Sequence, residues 1–178
     1  MVSDKNGGTL PRFGQHRIAG MPLTITEYDH PAPNFFCAEM FPVLNSVAAF
    51  QDFDGIYHFT FDDPYDKGRI DNFFSSAGHP LKQIFAPAGT VLFRMGAVQP
   101  GKNVVQLGLP QEAVLQNLIK TGDKLRLHGS NMSNIWAESG ASNSLIIEHP
   151  MSINMNAKEM KLSAPLQKPT GSWVSETG

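Results

Sequence analysis

Apolar runs of strand type alternate with helical patterns over the first half of this chain. Residues 22–27 form a short, partly β-branched apolar run between turn formers, which predicts a buried strand followed by a long loop. Residues 56–61 are almost all β-branched or aromatic and predict a second strand. A helical pattern lies between the two runs, and this order indicates a right-handed βαβ crossover with parallel strands.

Two helical patterns accompany these strands. In the first, apolar residues recur on one side of a helix and Pro42 lies inside the pattern, so we expect a kink or a restart there. The second contains Pro87 and closes near Gly96, a residue that suits the position just past a helix end. Both strands are apolar on both faces, which is typical of a parallel sheet covered on each side. The apolar members are Phe36, Met40, Val43, Leu44 and Val47 in the first pattern, and Leu81, Ile84, Phe85, Ala88 and Leu92 in the second.

The pattern changes after residue 101. Short strands, one amphipathic helix and a Ser/Asn/Gly-rich loop replace the longer helices. A weak helix is also predicted near residues 13–19, ahead of the first strand. We therefore predict an α/β fold, with an α/β segment at 1–101 and a β-rich segment at 102–178. The strands predicted in the second segment are 104–107, 124–128 and 144–148, the helix is 110–120, and the loop separates the last two strands.

Composition excludes several classes of function. The chain has 178 residues, 41% of them hydrophobic and 17% charged, which suits one domain or one and a half with a packed core. The net charge is −2 and no block of Lys or Arg occurs, so neither nucleic acid nor a membrane surface is expected as a partner. No apolar signal segment and no bilayer-spanning run occur, so we expect a soluble protein. The single cysteine, Cys37, excludes an internal disulfide and CxxC motifs, and we expect a small buried hydrophobe.

The first strand ends in a carboxylate, Glu27, and Tyr28 follows it. Open sheets and α/β barrels place their chemistry at the carboxyl ends of strands, so this pair marks a candidate active-site edge. The alternative is an ordinary surface glutamate that closes a strand. Since neighbouring strand residues face opposite sides, Tyr28 can share a face with Glu27 only if the strand breaks there.

These residues resemble a known family. The sequence RIAGMPLTITEY at residues 17–28, with HPAPN after it at residues 30–34, resembles the seventh strand of the clan A glycoside hydrolases. In those (β/α)8 barrels the pattern Gly-x-Pro-hydrophobic-x-hydrophobic-Thr/Ser-Glu-Tyr carries the nucleophilic glutamate. The sequence QDFDGIYHF at residues 51–59 is similar to the eighth strand and its lead-in, with Phe53 where Trp is common. Residues 92–96 are similar to the closing helix of the barrel, and the chain beyond them resembles the start of a β-rich accessory domain.

The resemblance implies a partial (β/α)8 barrel, made of one βαβα unit. It also implies a glycoside hydrolase that acts on β-linked glucan, xylan or galactoside with Glu27 as nucleophile. A complete barrel needs about 250 residues and eight strands, of which this chain supplies only a pair. The family's acid/base carboxylate belongs to the fourth strand, usually in an Asn-Glu pair, and no predicted strand here ends in Asn-Glu. The chain is therefore similar to the C-terminal part of a barrel enzyme.

Retaining glycosidases need a second carboxyl group about 5–5.5 Å from the nucleophile. Parallel neighbouring strands lie about 4.8 Å apart, so a carboxylate at the end of the second strand could reach Glu27. Asp62 is the best placed, and Asp63, Asp66 and Glu39 are the other candidates. The alternative is a solvated turn for the aspartates and a solvated helix position for Glu39.

Several side chains could contact a sugar. His30 and His58 could bind hydroxyl groups or tune Glu27. Two histidines without a third ligand at motif spacing do not indicate a metal site, and neither a metal nor a cofactor is predicted. No Gly-rich phosphate loop or serine nucleophile elbow follows a strand. The aromatic candidates for sugar contact are Tyr28, Tyr57, Phe59, Phe61 and Tyr65, and such residues could instead belong to the core.

A second hypothesis is a non-catalytic module that binds carbohydrate or a partner protein. Its basis is the missing acid/base glutamate and the missing strands of the barrel. Two strands with their helices would leave sheet edges and a helix face uncovered. We therefore expect self-association, with copies of the chain completing a sheet or a barrel.

Overall fold

The computed structural model describes residues 8–61, 72–121 and 130–163. Mixed helices and small parallel sheets place it in the α/β class. The described residues form two compact units: those of Leu23–Pro100 make the first, and residues 8–22 together with those from Gly101 onward make the second. In chain order the elements are α1 (Leu10–Gln15), β1 (Thr24–Tyr28), a 3-10 helix (Cys37–Glu39), α2 (Met40–Phe50), β2 (Gly55–His58), α3 (Pro80–Phe93), β3 (Val105–Gly108), α4 (Gln111–Thr121), α5 (Ser130–Glu138), α6 (Leu145–Glu148) and β4 (Met151–Asn154).

In the first unit, β1 and β2 lie side by side and parallel, which confirms the pairing expected from the βαβ pattern. Ile25 pairs with Ile56 and Tyr28 pairs with His58, but the register shifts between these two pairs. An irregularity of this kind bends a strand and breaks its alternation. Both residues between Ile25 and Tyr28 are accordingly exposed.

The helix between the strands begins in two steps, as the position of Pro42 predicted. The 3-10 turn precedes α2, and Pro42 lies in the first turn of α2, where its missing N–H removes no helical hydrogen bond. Cys37 is buried as expected, and its thiol donates to Asn34 O at 2.7 Å. The buried apolar residues of α2 are Met40, Leu44, Val47, Ala48 and Ala49.

α2 packs against α3 through a close approach at Gly89. Asn45 Nδ2 donates to Gly89 O at 3.2 Å. A Cβ atom at Gly89 would lie 3.1 Å from the amide carbon of Asn45, which is closer than ordinary contact. Only glycine therefore lets the two helices approach this closely without a shift.

α3 covers the range that its pattern predicted, includes Pro87, and is followed by Gly96 with a φ of +70°. Its apolar stripe, however, is not the buried side. Leu81 and Ile84 are exposed, whereas Lys82 is fully buried. Helical periodicity located this helix correctly but did not indicate which side faces the core.

The two faces of the β1–β2 pair have different environments. Tyr28 is buried on the side of α2, and the rings of His58 and Phe41 lie 4.3 Å apart there. Tyr57 precedes His58 in β2 and so belongs to the opposite face, where it is 63% exposed, and Glu27 of β1 is also exposed. The expectation of a sheet covered on both faces is therefore wrong within the described ranges. An apolar and aromatic sequence does not distinguish a covered face from a bare one.

In the second unit, β3 and β4 are parallel and pair in continuous register, from Val105 with Met151 to Gly108 with Asn154. Residues 18 and 162 form isolated bridges to β4 and β3 respectively, which extends the sheet on both sides. The core beneath it is apolar. Its members include Leu107, Met132, Trp136, Leu145 and Met151, all nearly inaccessible to solvent.

The helices of the second unit correct several predictions. The Ser/Asn/Gly-rich loop contains α5, because Met132 and Trp136 lie one turn apart and are both buried. The predicted strand 144–148 is α6, a short helix. Periodicity alone does not decide whether such a short apolar run is a helix or a strand. The described part of 102–163 is therefore mixed rather than β-rich, and the predicted strand 124–128 lies outside the described residues.

Two further elements differ only in position. The weak helix expected near residues 13–19 is α1, which begins earlier because Pro11 favours the first turn of a helix. The predicted strand 104–107 is β3, one residue later than expected.

Candidate functional site

Glu27 is the second-to-last residue of β1, within the irregular part of its ladder with β2. Its side chain is exposed, and Tyr57 of the neighbouring strand β2 is exposed as well. Phe61, just beyond β2, is 66% exposed. The chain thus presents a carboxylate and aromatic side chains at the carboxyl end of a parallel strand pair.

Tyr28 and His30, by contrast, are joined to each other inside the core. The Tyr28 hydroxyl and His30 Nε2 are 2.7 Å apart, and His30 Nδ1 lies 2.8 Å from Phe36 O. A carbonyl oxygen can only accept, so Nδ1 carries a proton and, in the neutral ring, Nε2 accepts from the Tyr28 hydroxyl. This arrangement folds the loop after β1 back onto the strand.

Asp29, between Tyr28 and His30, forms a buried ion pair with Lys82 of α3. Asp29 Oδ1 and Lys82 Nζ are 2.5 Å apart, and the two side chains are 3% and 0% exposed. Burial raises the pKa of the Asp29 carboxyl, although the hydrogen bond and charge of Lys82 act in the opposite direction. Asp29 Oδ2 is buried and has no hydrogen-bond partner in the described ranges. Desolvation of this carboxyl therefore outweighs the attraction that the lysine provides.

Lys82 itself is held at the start of α3. Its Nζ also donates to Phe74 O at 3.3 Å, and its backbone N–H donates to His79 Nδ1 at 3.4 Å. His79 is the N-cap of α3, and desolvation together with the charge of Lys82 lowers the pKa of this histidine. The neutral ring keeps an acceptor nitrogen for the helix N-terminus.

His58 connects β2 to both helices. Its Nε2 lies 3.2 Å from Asn45 Oδ1, and the same amide donates to Gly89 O, so His58 Nε2 is the donor. Its Nδ1 is buried without a hydrogen-bond partner in the part of the chain that the structure describes. Desolvation, with contributions from the charges of His30 and Lys82, lowers the pKa of His58 to about 4.

We expect His58 to make the first unit less stable in acid. The ordinary pKa of histidine is 6.5, so below that pH the unfolded chain binds a proton that the folded chain does not bind until about pH 4. Stability is therefore complete above pH 6.5 and falls as the pH drops to about 4. The loss is at most about 3 kcal/mol, and less because the ring is partly solvated.

Urea unfolding between pH 7 and pH 4 measures this effect. His58→Gln keeps a donor for Asn45 and should flatten the pH profile, whereas His16→Gln, in the other unit, should leave it unchanged. The raised pKa of Asp29 has the opposite sign, so the difference between wild type and His58→Gln isolates the histidine. An identical slope in the two proteins would contradict the prediction.

The sequence-predicted residues thus divide into two groups. Glu27 is exposed, while Tyr28 and His30 are buried and His58 is half-buried, so the structure does not bring them to one surface. Asp62 and Tyr65, with Asp63 and Asp66, lie outside the described residues, and their roles stay predictions. Glu39 is half-buried at the end of the 3-10 turn.

Sequence reasoning missed the groups that organise the loop after β1. Asp29 stands in a polar, proline-rich loop, where an aspartate is usually solvated. Lys82 lies seven positions before Gly89, so the two residues share one side of α3. Neither a lysine nor a glycine is an apolar residue that would indicate a buried side. Asn45 occupies a polar position within an apolar helix, and only the close approach of α3 explains it.

A separate concavity lies at the carboxyl ends of β3 and β4. Its volume is about 200 Å³. A Cβ atom at Gly108 would lie 2.5 Å from Glu159 O, so the chain after β4 closes tightly over this edge. None of its residues was predicted to bind a ligand. The lining consists of Gln106, Gly108, Asn154, Ala157, Lys158, Glu159, Lys161 and Ser163.

Within residues 8–61, 72–121 and 130–163, no three His, Cys, Asp or Glu side chains form a group that could hold a metal ion. In the same ranges, no helix combines the length and the apolar character that crossing a bilayer requires.

Comparison with known proteins gives no further guide to the site. No protein-family model matches this chain, and no curated protein or solved structure is similar enough to match it. The function of the chain must therefore be inferred from its own residues and geometry.

Proposed function

We propose that this chain carries the nucleophile of a retaining β-glycosidase that acts on β-linked glucan, xylan or galactoside. The supporting observation is the position of Glu27, at the carboxyl end of a parallel strand and exposed to solvent. In a (β/α)8 barrel the helices form the outer ring, and catalytic residues stand at the carboxyl ends of the strands. The chain would represent a βαβα part of such a barrel, in agreement with its resemblance to clan A glycoside hydrolases.

The neighbourhood of Glu27 suits a sugar. Tyr57, on the neighbouring strand β2, offers an aromatic ring to solvent. Large aromatic faces contribute apolar contact area, and a tyrosine adds a polar hydroxyl at its edge. A sugar ring has the matching combination of C–H faces and hydroxyl groups, so this neighbourhood supports carbohydrate as the substrate class.

The proposed reaction has two steps. First, a carboxylate oxygen of Glu27 attacks the anomeric carbon, and the bond to the leaving oxygen breaks as that oxygen takes a proton from a second carboxyl group. Water then hydrolyses the glycosyl ester, returning a proton to the second carboxyl and freeing Glu27. We assign the second carboxyl to Asp62, because it follows the strand adjacent to β1.

Covalent trapping tests this function directly. The full chain is incubated with 2-deoxy-2-fluoro-β-glycosyl fluorides of glucose, xylose and galactose. Attack by Glu27 breaks the anomeric C–F bond, releases fluoride and leaves a slowly hydrolysed ester. We expect one glycosyl group per chain, located on Glu27 by peptide mass spectrometry and suppressed by a competing β-glycoside. No adduct with any of the three reagents would reject the nucleophile.

A non-catalytic function is the second candidate. The exposed aromatic residues favour it, since Tyr57 and Phe61 could hold a glycan or a partner protein without any reaction. Calorimetric titration with soluble glucan, xylan and galactan, combined with an assay for new reducing ends, separates the two functions. Binding without new reducing ends supports the module, whereas release of reducing ends supports the enzyme.

We also propose that copies of the chain associate by completing a sheet or a barrel at the edges of the β1–β2 pair. Within the described residues this sheet has two strands, and its edges together with the exposed Tyr57 favour further pairing. Sedimentation velocity over a wide concentration range should show species heavier than the 19.5 kDa chain. Tyr57→Ser should weaken association by about tenfold, since it removes apolar area worth about 1.4 kcal/mol. Phe35→Ser, in the loop before the 3-10 helix, is the matched control, and a strictly monomeric wild type would contradict the proposal.

A further inference from the structure

The carboxyl end of β1 is held by a contact that the proposed reaction does not use. Asp29 follows the last residue of β1 and is joined to Lys82, which lies on α3 much later in the chain. We propose that Asp29 and Lys82 are positioning residues for Glu27: they fix the end of β1 against α3 and so set the direction of the nucleophile. This inference rests on the proposed function.

The strand ladder alone does not fix Glu27. Ile25 and Tyr28 pair with β2, but the register shifts between them, and Glu27 lies inside that irregular stretch. Phe59 N donates to Tyr28 O at 2.9 Å, which holds the residue after Glu27. The direction of Glu27 therefore depends on how the chain beyond Tyr28 is anchored.

That anchor is rigid on the α3 side. Lys82 lies in the first turn of α3, where His79 caps its backbone N–H. Its ammonium group is fully buried and bonded to both Asp29 Oδ1 and Phe74 O. A buried, doubly bonded lysine has few alternative rotamers, so Asp29 has one position relative to the helix.

The loop after Asp29 reinforces the anchor. His30 bonds to the Tyr28 hydroxyl and to Phe36 O, and Ala32 N donates to Phe73 O at 2.8 Å. These contacts order the loop. The Asp29–Lys82 ion pair is the contact that joins the residue after β1 to α3. A nucleophile displaced by about 1 Å can lose about 10²-fold in rate. We therefore expect loss of this ion pair to lower the rate of the reaction.

The test compares the wild type with the double variant Asp29→Asn/Lys82→Met. Removing both charges together leaves no unpaired buried ion, so the variant should fold. We expect labelling of Glu27 by the 2-fluoro glycosyl fluoride to slow by about tenfold or more. With a 4-nitrophenyl β-glycoside, kcat should fall in parallel while KM changes by less than about twofold, because the substrate face is untouched.

Val47→Ala is the matched control, because it removes buried apolar volume from α2 in the same unit and leaves the Asp29–Lys82 pair unchanged. It should leave the labelling rate unchanged at a temperature where the protein is folded. If the double variant does not fold, Asp29→Glu carries the test, since it keeps the charge pair with Lys82 but lengthens the side chain that joins the end of β1 to α3. That variant should be labelled about threefold more slowly or worse.

The outcomes separate the two proposals. Labelling of the folded variant at the wild-type rate overturns the positioning role and leaves Glu27 as nucleophile. Equal slowing by Val47→Ala also overturns it, because any loss of stability would then have the same effect. Failure to label the wild type overturns the proposed function and the positioning role together.

Discussion

Replacing Glu27 by Gln should abolish hydrolysis of 4-nitrophenyl β-glycosides, with kcat lower by about 10⁴-fold or more. The amide has nearly the same shape as the carboxylate but cannot form the glycosyl ester. Since Glu27 is exposed, the thermal unfolding midpoint should change little. Steady-state kinetics on the glucoside, xyloside and galactoside measures the loss on whichever substrate the wild type accepts.

Two controls make this result specific. Glu138→Gln changes an exposed carboxylate on α5 in the other unit and should keep wild-type activity. Glu27→Gly with added azide should regain turnover and release a glycosyl azide of inverted configuration, because the small anion attacks from the side that the carboxylate occupied. Wild-type turnover by Glu27→Gln would show that another group performs the attack.

Replacing Lys82 by Met should destabilise the first unit by about 3–5 kcal/mol at pH 7. Methionine fills most of the volume of the lysine, so the cost comes from Asp29, which would remain buried without its counter-charge. In a unit of this size the unfolding midpoint should fall by about 15 °C or more. Urea or thermal unfolding followed by circular dichroism measures the change.

The pH dependence identifies the cause. Without Lys82 the pKa of Asp29 should rise further, so the folded variant binds a proton at pH values where the unfolded chain does not. The destabilisation should therefore shrink as the pH falls from 7 toward 5. Asp29→Asn/Lys82→Met should recover most of the lost stability, and a double variant as unstable as Lys82→Met would refute an unpaired carboxylate as the cause.

The sequence predicted the local elements of the first unit well. Turn formers and β-branched residues located β1 and β2, and the βαβ order predicted their parallel pairing. Pro42 marked the restart at α2, and Gly96 the end of α3. These features depend on backbone preferences of neighbouring residues, which a sequence displays directly.

Prediction failed where a distant part of the chain decides the outcome. α5 forms in a Ser/Asn-rich stretch because Met132 and Trp136 are buried in the core, and Trp136 Nε1 donates to Gln15 O at 3.1 Å. Lys82 is buried because Asp29, far away in sequence, supplies its counter-charge. Such partners are brought together only by the fold, and no local pattern identifies them.

The candidate site shows the same division. Glu27 could be placed at a strand end from its neighbours alone, and the structure puts it there. The bulge that exposes it, the buried side of Tyr28 and the neutral ring of His58 all depend on packing between β1, β2 and α2. Sequence therefore located the proposed nucleophile on its strand, and packing defines its environment.

The second unit is assembled from two separated stretches of chain, because residue 18 pairs with β4 and the whole of Leu23–Pro100 intervenes. During synthesis on the ribosome the intervening unit emerges complete while residue 18 still lacks its partner. We expect the βαβ unit to fold first, through contacts close in sequence, and the other sheet to close last. The N-terminal stretch must therefore wait for β4, and a delay in translation after residue 100 would prolong that interval without preventing the first unit from folding.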